Sequence, residues 1–134
     1  MEHDSSNFEL WWEYNKVFYI NRNITKEEFR EYAFHNGFNK GDIMILRGYN
    51  PENIEIGDVI VFRAGKAYPI IHRVVEKNGH FGTKGDNNPD QIRSFDLDET
   101  NIKYEQLIGK AVFRIPWVGY VKIGAVELVS SLKG

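Results

Sequence analysis

Beyond Gly37 the chain is written in short β-branched runs punctuated by glycine beside an acidic or amide residue. They are GDIMIL from Gly41, GDVIVF from Gly57, PIIHRVVE from Pro69 and FGTKGDNN from Phe81. Such runs read as strands. The Asn78-Gly79 pair between two of them is a strong hairpin signal, because glycine and asparagine tolerate the left-handed backbone of a tight turn. The expected strands are therefore IMIL, VIVF, Ala67 to Glu76, His80 to Lys84, and Ala111 to Ile115. Gly119 to Ile123 would follow across a Pro116-Trp117 turn. Short strands separated by turns of unequal length favour a coiled sheet over parallel βαβ winding. The expected fold is mainly β, a coiled and partly open β-barrel.

The first forty residues obey a different period. Thr25 can cap a helix, and Glu28 three residues on completes a capping box. Phe29, Tyr32 and Ala33 then fall at helical spacing and Gly37 ends the run, so the spacing predicts one short N-terminal helix over 25–36 with Phe29 and Tyr32 inward. Trp11, Trp12, Tyr14, Phe18 and Tyr19 form an aromatic-rich stretch, read as a strand or loop packed on the core, or as a membrane-facing surface. Asp90 to Gln106 is polar and aperiodic, which reads as a surface loop. At 134 residues the chain fits one domain over 1–134, with 1–40 as an N-terminal insertion and 41–124 as the β core.

Charge and composition remove several classes of function. Lys plus Arg number 17 against 19 Asp plus Glu, a net charge of -2, which argues against nucleic acid as the partner. With no cysteine there is neither a disulfide nor a thiolate metal site. The spacing of His3, His72 and His80 matches no metal signature, so no metal or cofactor is expected. No apolar run approaches the roughly 18 residues that would span a bilayer.

The chemistry concentrates in IIHRVV and TKGDNNPD. His72 sits mid-strand in an apolar run, where a core needs no imidazole. Counting outward from Asn78-Gly79, Glu76 faces about His80 and His72 about Lys84, which leaves Asp86 two positions along and diagonal to His72. A carboxylate there would hold an imidazole in one tautomer and stabilise its protonated form. The same residues also read as a satisfied structural histidine and a Gly-Asp turn that caps itself. Arg73 and Lys84 flank the pair, either as steering charges or as solvated strand charges. Asn23-Ile24-Thr25 is a weak glycosylation triplet.

In this order GDIMIL, GDVIVF, YPIIHRVV, TKGDNNPD and GKAVFRIPWVGYVKI resemble signal peptidase I of the archaeal and endoplasmic-reticulum type, over roughly Phe38 to Ile123. The resemblance implies a membrane-anchored serine endopeptidase that removes signal peptides from secretory preproteins on the extracytoplasmic side. It implies a largely β fold and a histidine base where the bacterial branch has lysine. His72 matches that base, Asp86 the acidic partner, and Asp90 is the nearest match to a second aspartate. No cofactor and no nucleic acid are implied.

The family's serine directly precedes a methionine, and no Ser-Met pair occurs in this sequence. The expectation is that Met1 is that methionine, so that the serine and the anchoring membrane segment before it are absent and this chain alone is inactive. Ser5 and Ser6 would serve only after a shift of register; otherwise they are plain terminal residues. Two other readings stand: a non-catalytic β module that binds extended peptides, and a LexA-like autoprotease, the latter disfavoured because that class uses a lysine base.

Overall fold

A computed structural model describes residues 7–39 and 42–115. Five strands form one open antiparallel sheet: β1 (Ile43–Arg47), β2 (Val59–Phe62), β3 (Ile70–Lys77), β4 (Phe81–Lys84) and β5 (Leu107–Ile115), in the order β1-β5-β2-β3-β4. The mainly β, incompletely closed architecture is the one the turn-punctuated runs imply. The expected strand over 119–123, the Pro116-Trp117 turn, and Met1, His3, Ser5 and Ser6 lie outside the described residues. Irregularities in register interrupt β1 at Ile45/Leu46, β2 at Val61/Phe62 and β3 at Val74/Glu76. Each adds local bend and twist, which coils the sheet.

The N-terminal part departs from expectation. The aromatic stretch is not a strand or loop but a helix, α1 (Phe8–Ile20), with the Asn7 side chain accepting from the N–H of Leu10. Phe8, Trp11, Trp12 and Tyr19 are its buried residues, at the i, i+3, i+4, i+11 spacing of one helix face. Aromatic and β-branched residues are middling helix formers, and here burial of the aromatic face prevails over that weak preference. The second helix, α2 (Lys26–Arg30), begins as expected, with the Thr25 hydroxyl accepting from the N–H of Glu28, but it stops well short of residue 36. The chain turns at Phe34 (φ 56°) instead, and the carbonyls of Ala33 and Phe34 accept from Arg73. Tertiary hydrogen bonds thus take groups that a longer helix would have used.

The two faces of β2–β4 are packed differently. On one face Val75 joins the aromatic cluster of α1 and α2, in which Phe29 and Tyr19 are fully buried. On the other, Ile60, Phe62, Val74 and Phe81 pack with Ile54, Leu97 and Ile102. The segment 90–106 is mostly exposed, as expected of a surface loop, but it is anchored in the core at a few residues. Leu97, Glu99 and Ile102 are buried, and the backbone of Ile102 pairs with Phe81 while Glu99 O accepts from the Thr83 N–H, so this segment covers the outer edge of β4. Its core contacts come at irregular spacing, which is why no period betrays them.

Candidate functional site

The hairpin β3–β4 decides which side chains meet. Lys77 pairs with Phe81 and Glu76 with Gly82. After the irregularity at Val74/Glu76, Val74 pairs with Thr83 and Arg73 with Lys84. So Arg73 faces Lys84, where the sequence count placed His72. A one-residue change of register moves every side chain to the opposite face. His72 lies on the face of its β2 partner Ile60, whereas Arg73, Lys84 and Asp86 lie beneath α1 and α2.

Asp86 is consequently not the carboxylate on His72. Its oxygens accept from Arg73, Nε to Oδ1 at 2.9 Å and Nη2 to Oδ2 at 2.8 Å, and neither side chain is exposed. Arg73 also donates to the carbonyls of Ala33, Phe34 and Gly57 at 2.7–2.8 Å, and its guanidinium lies over the Phe29 ring. These bonds engage all five guanidinium N–H groups. Trp11 Nε1 donates to the Asp86 carbonyl at 3.0 Å. Lys84, fully buried, donates to Tyr19 Oη and to the Gly85 carbonyl, both at 3.0 Å. Burial pulls its ammonium down to about 8, against the opposing pull of Asp86 and Glu99. The two cations flanking the expected site are thus neither solvated nor steering charges; they fasten the helical segment to the sheet.

The residue that holds His72 is Glu99, which sequence reasoning missed. Nδ1 of His72 bonds Glu99 Oε1. The same oxygen accepts from Thr83 Oγ1 at 2.9 Å, and Oε2 accepts from the Ile92 N–H at 2.8 Å. Glu99 is fully buried, and the His72 side chain keeps 13% exposure. Nothing in the local pattern SFDLDET marks it out, because its relation to His72 arises through the pairing of 99–102 along β4.

The other imidazole nitrogen lies close against the backbone of Gly85. A Cβ at Gly85 would stand 2.9 Å from His72 Nε2 and 2.7 Å from Asn88 Nδ2. Asp90 sits elsewhere: its carboxylate accepts from the Gln91 N–H at 2.7 Å, and it lines an open pocket with Tyr14, Phe18, Arg22, Asn87 and Arg93. The structure therefore brings together His72, Glu99, Thr83, Gly85 and Asn88, and sets Asp86 and Asp90 apart from that group. Among the described residues no cluster of His, Cys, Asp or Glu has the makings of a metal site, and no helix is long and apolar enough to cross a membrane.

No family model matches the chain. It is similar to the Signal peptidase complex catalytic subunit SEC11 of Pyricularia oryzae, 36% identical over 94 residues that cover 64% of this chain and 55% of the relative. The sec11 subunit of Sclerotinia sclerotiorum is 38% identical with the same coverage. The SEC11C subunit of Homo sapiens is 34% identical, with 49% of its length covered. The chain spans about half the length of the curated relatives it matches. Over those 94 residues it is a homologue of signal peptidase complex catalytic subunits, the same type of peptidase that IIHRVV and TKGDNNPD resemble.

Proposed function

We propose that this chain is part of a signal peptidase that cleaves signal peptides from secretory preproteins by serine acyl transfer, with His72 as the base. The observation that carries the reading is the imidazole itself. Nδ1 is engaged by a buried carboxylate, while Nε2 lies against Gly85, where any side chain would crowd it, and the imidazole keeps partial exposure. With its proton on Nδ1, neutral His72 presents a lone pair at Nε2. That nitrogen takes the serine Oγ proton as Oγ bonds the scissile carbonyl carbon, then returns it to the leaving amine as the C–N bond breaks. Water then gives a proton to the same nitrogen as it bonds the acyl carbon, and that proton passes to Oγ as the acyl–Oγ bond breaks, restoring the serine.

The nucleophile in this reading comes from a Ser-Met segment that the sequence does not contain, and this chain alone does not cleave. The membrane anchor is likewise a segment other than the described helices, and it holds the domain on the extracytoplasmic side. Within an insertion over 1–40, residues 7–39 brace β3 and β4. Asp86 contributes at one remove, by fixing the start of the GDNN turn through Arg73, and Asp90 shapes the loop's outer end.

The substrate has a place to lie. β3 pairs with β2 from Ile70 to Arg73, but with β4 only from Arg73 to Lys77. Among the described residues the other backbone edge of Ile70 and Ile71 has no strand beside it. An extended peptide added there would run past His72, held by main-chain hydrogen bonds.

The test uses the full-length protein in membrane vesicles with a secretory preprotein. The expected result is cleavage that His72→Ala reduces by about 10³-fold or more. Cleavage unaffected by His72→Ala would refute the base. Binding of extended peptides with no cleavage under any condition would favour the non-catalytic module that the open edge of β3 also suits.

A further inference from the structure

We propose that Glu99 is the positioning residue for His72, and that neither aspartate of the KGDNNPD loop has that role. The inference rests on the reading of His72 as a base and adds the residue that makes it one.

The argument is geometric. Three groups converge on the Glu99 carboxylate: His72 Nδ1 and the Thr83 hydroxyl on Oε1, and the Ile92 N–H on Oε2. An ionised carboxylate only accepts, so this arrangement calls for the proton on Nδ1 and leaves Nε2 bare. Glu99 cannot turn away. Its carbonyl accepts from the Thr83 N–H at 2.8 Å and from Gln91 Nε2 at 3.1 Å, and its own N–H donates to the Ile92 carbonyl at 2.8 Å. A carboxylate fixed through both backbone and side chain is the kind of rigid support that preorganises a proton-transfer group. When His72 takes a proton, the negative charge already in place stabilises the imidazolium with no further rearrangement. Asp86 gives its oxygens to Arg73 beneath the helices, and Asp90 lies at the exposed end of its loop, so neither duplicates this contact.

The assignment makes the segment 90–102 a working part of the site. It brings Glu99, 27 residues from His72 along the chain, onto the face where Thr83 can share it.

The chain as it stands, labelled with ¹⁵N histidine, supplies the first test. At about pH 9, where an ordinary imidazole is neutral, the His72 nitrogens should show Nδ1 as N–H and Nε2 unprotonated. Glu99→Gln should move that pattern toward the other tautomer, while Asp90→Asn leaves it as in the parent. In the full-length protein Glu99→Gln should lower kcat by about 100-fold or more with KM changed by less than about threefold, and Glu99→Asp should recover part of the loss. A predominant Nε2–H tautomer in the unmodified chain would overturn the assignment without reliance on any variant. So would Glu99→Gln nitrogens that match the parent. If the full-length protein cleaves no preprotein, the proposed function falls, and the imidazole spectrum still decides whether Glu99 positions the ring.

Discussion

His72 and Arg73 are consecutive residues of β3 and hold two carboxylates on opposite faces of the sheet. His72 Nδ1 bonds Glu99, and Arg73 grips Asp86 through Nε and Nη2. The alternation of a strand puts the imidazole toward the segment 90–106 and the guanidinium toward α1 and α2. One peptide unit therefore joins a partly exposed imidazole to a fully buried ion pair.

That pair gives the sharpest stability prediction. Removing one member of a buried ion pair leaves the other charge unpaired and costs about 3–5 kcal/mol, whereas a well-packed apolar replacement of both is often far milder. Asp86→Ala should lower stability by that amount in urea unfolding, since Arg73 would remain buried with two N–H groups unmet. Arg73→Met combined with Asp86→Leu should cost less than Asp86→Ala alone. A double variant less stable than the single one would show that the carbonyl bonds to Ala33, Phe34 and Gly57 matter more than the ion pair.

Gly57 is constrained twice over. Its φ is 100°, a left-handed value that side chains disfavour, and a Cβ there would stand 2.4 Å from Tyr32 Cδ1. Its carbonyl also accepts from Arg73 at 2.8 Å, so the backbone cannot swing to relieve the clash without losing that bond. Gly57→Ala should cost about 2 kcal/mol or more from strain and overpacking together. The denaturation midpoint measures it, and a loss below about 0.5 kcal/mol would mean that Tyr32 moves aside freely.

Much of the sheet was legible in the sequence because turn chemistry and β-branched runs are local. Gly57-Asp58 before VIVF and Asn78-Gly79 before the return strand both mark real element boundaries. The capping of α2 by Thr25 was equally local. His72 was visible as an imidazole that its strand did not need. Its partner was not, for a physical reason. The displaced register at Val74/Glu76 changes which face Asp86 occupies, and no residue type announces that irregularity. Glu99 was hidden differently. It reaches His72 only because 99–102 pairs along β4, a long-range event with no period in the chain. The helix over Phe8–Ile20 is hidden because aromatic residues suit a strand as well as a helix, although Phe8, Trp11 and Trp12 keep helical spacing.

Gly85→Ala tests the close approach of the backbone to Nε2. The backbone of Gly85 is not in the left-handed region, so alanine brings no backbone strain. Its Cβ would approach His72 Nε2 to 2.9 Å and Asn88 Nδ2 to 2.7 Å. Asn88 is a side chain that can yield, so the fold should lose no more than about 1–2 kcal/mol. Cleavage by the full-length protein should fall by about 10²-fold or more, as small displacements of reacting groups do. An unchanged rate would mean that the nucleophile approaches Nε2 from another direction.

Lys84 sets a pH signature for the whole chain. Burial holds its ammonium at about 8 in the folded protein against an ordinary 10.5. Between those values the unfolded chain binds more protons than the folded one, so stability rises with pH across that window. The gain is on the order of 3 kcal/mol, at about 1.4 kcal/mol per unit. Below about pH 8 the full cost of burying the cation is present. The tyrosines act in the opposite sense. Burial, aided by Asp86, holds the Tyr19 hydroxyl above its ordinary 10.0, and burial aided by the bond to Glu28 does the same for Tyr32. Stability that depends on their staying protonated is lost as pH climbs beyond about 10. Thermal unfolding should therefore peak near pH 9–10, and Lys84→Met should flatten the rise on the acid side while leaving the alkaline fall. Parallel pH profiles for the parent and Lys84→Met would show that the lysine keeps an ordinary ammonium, and that its bonds to Tyr19 and Gly85 outweigh its burial.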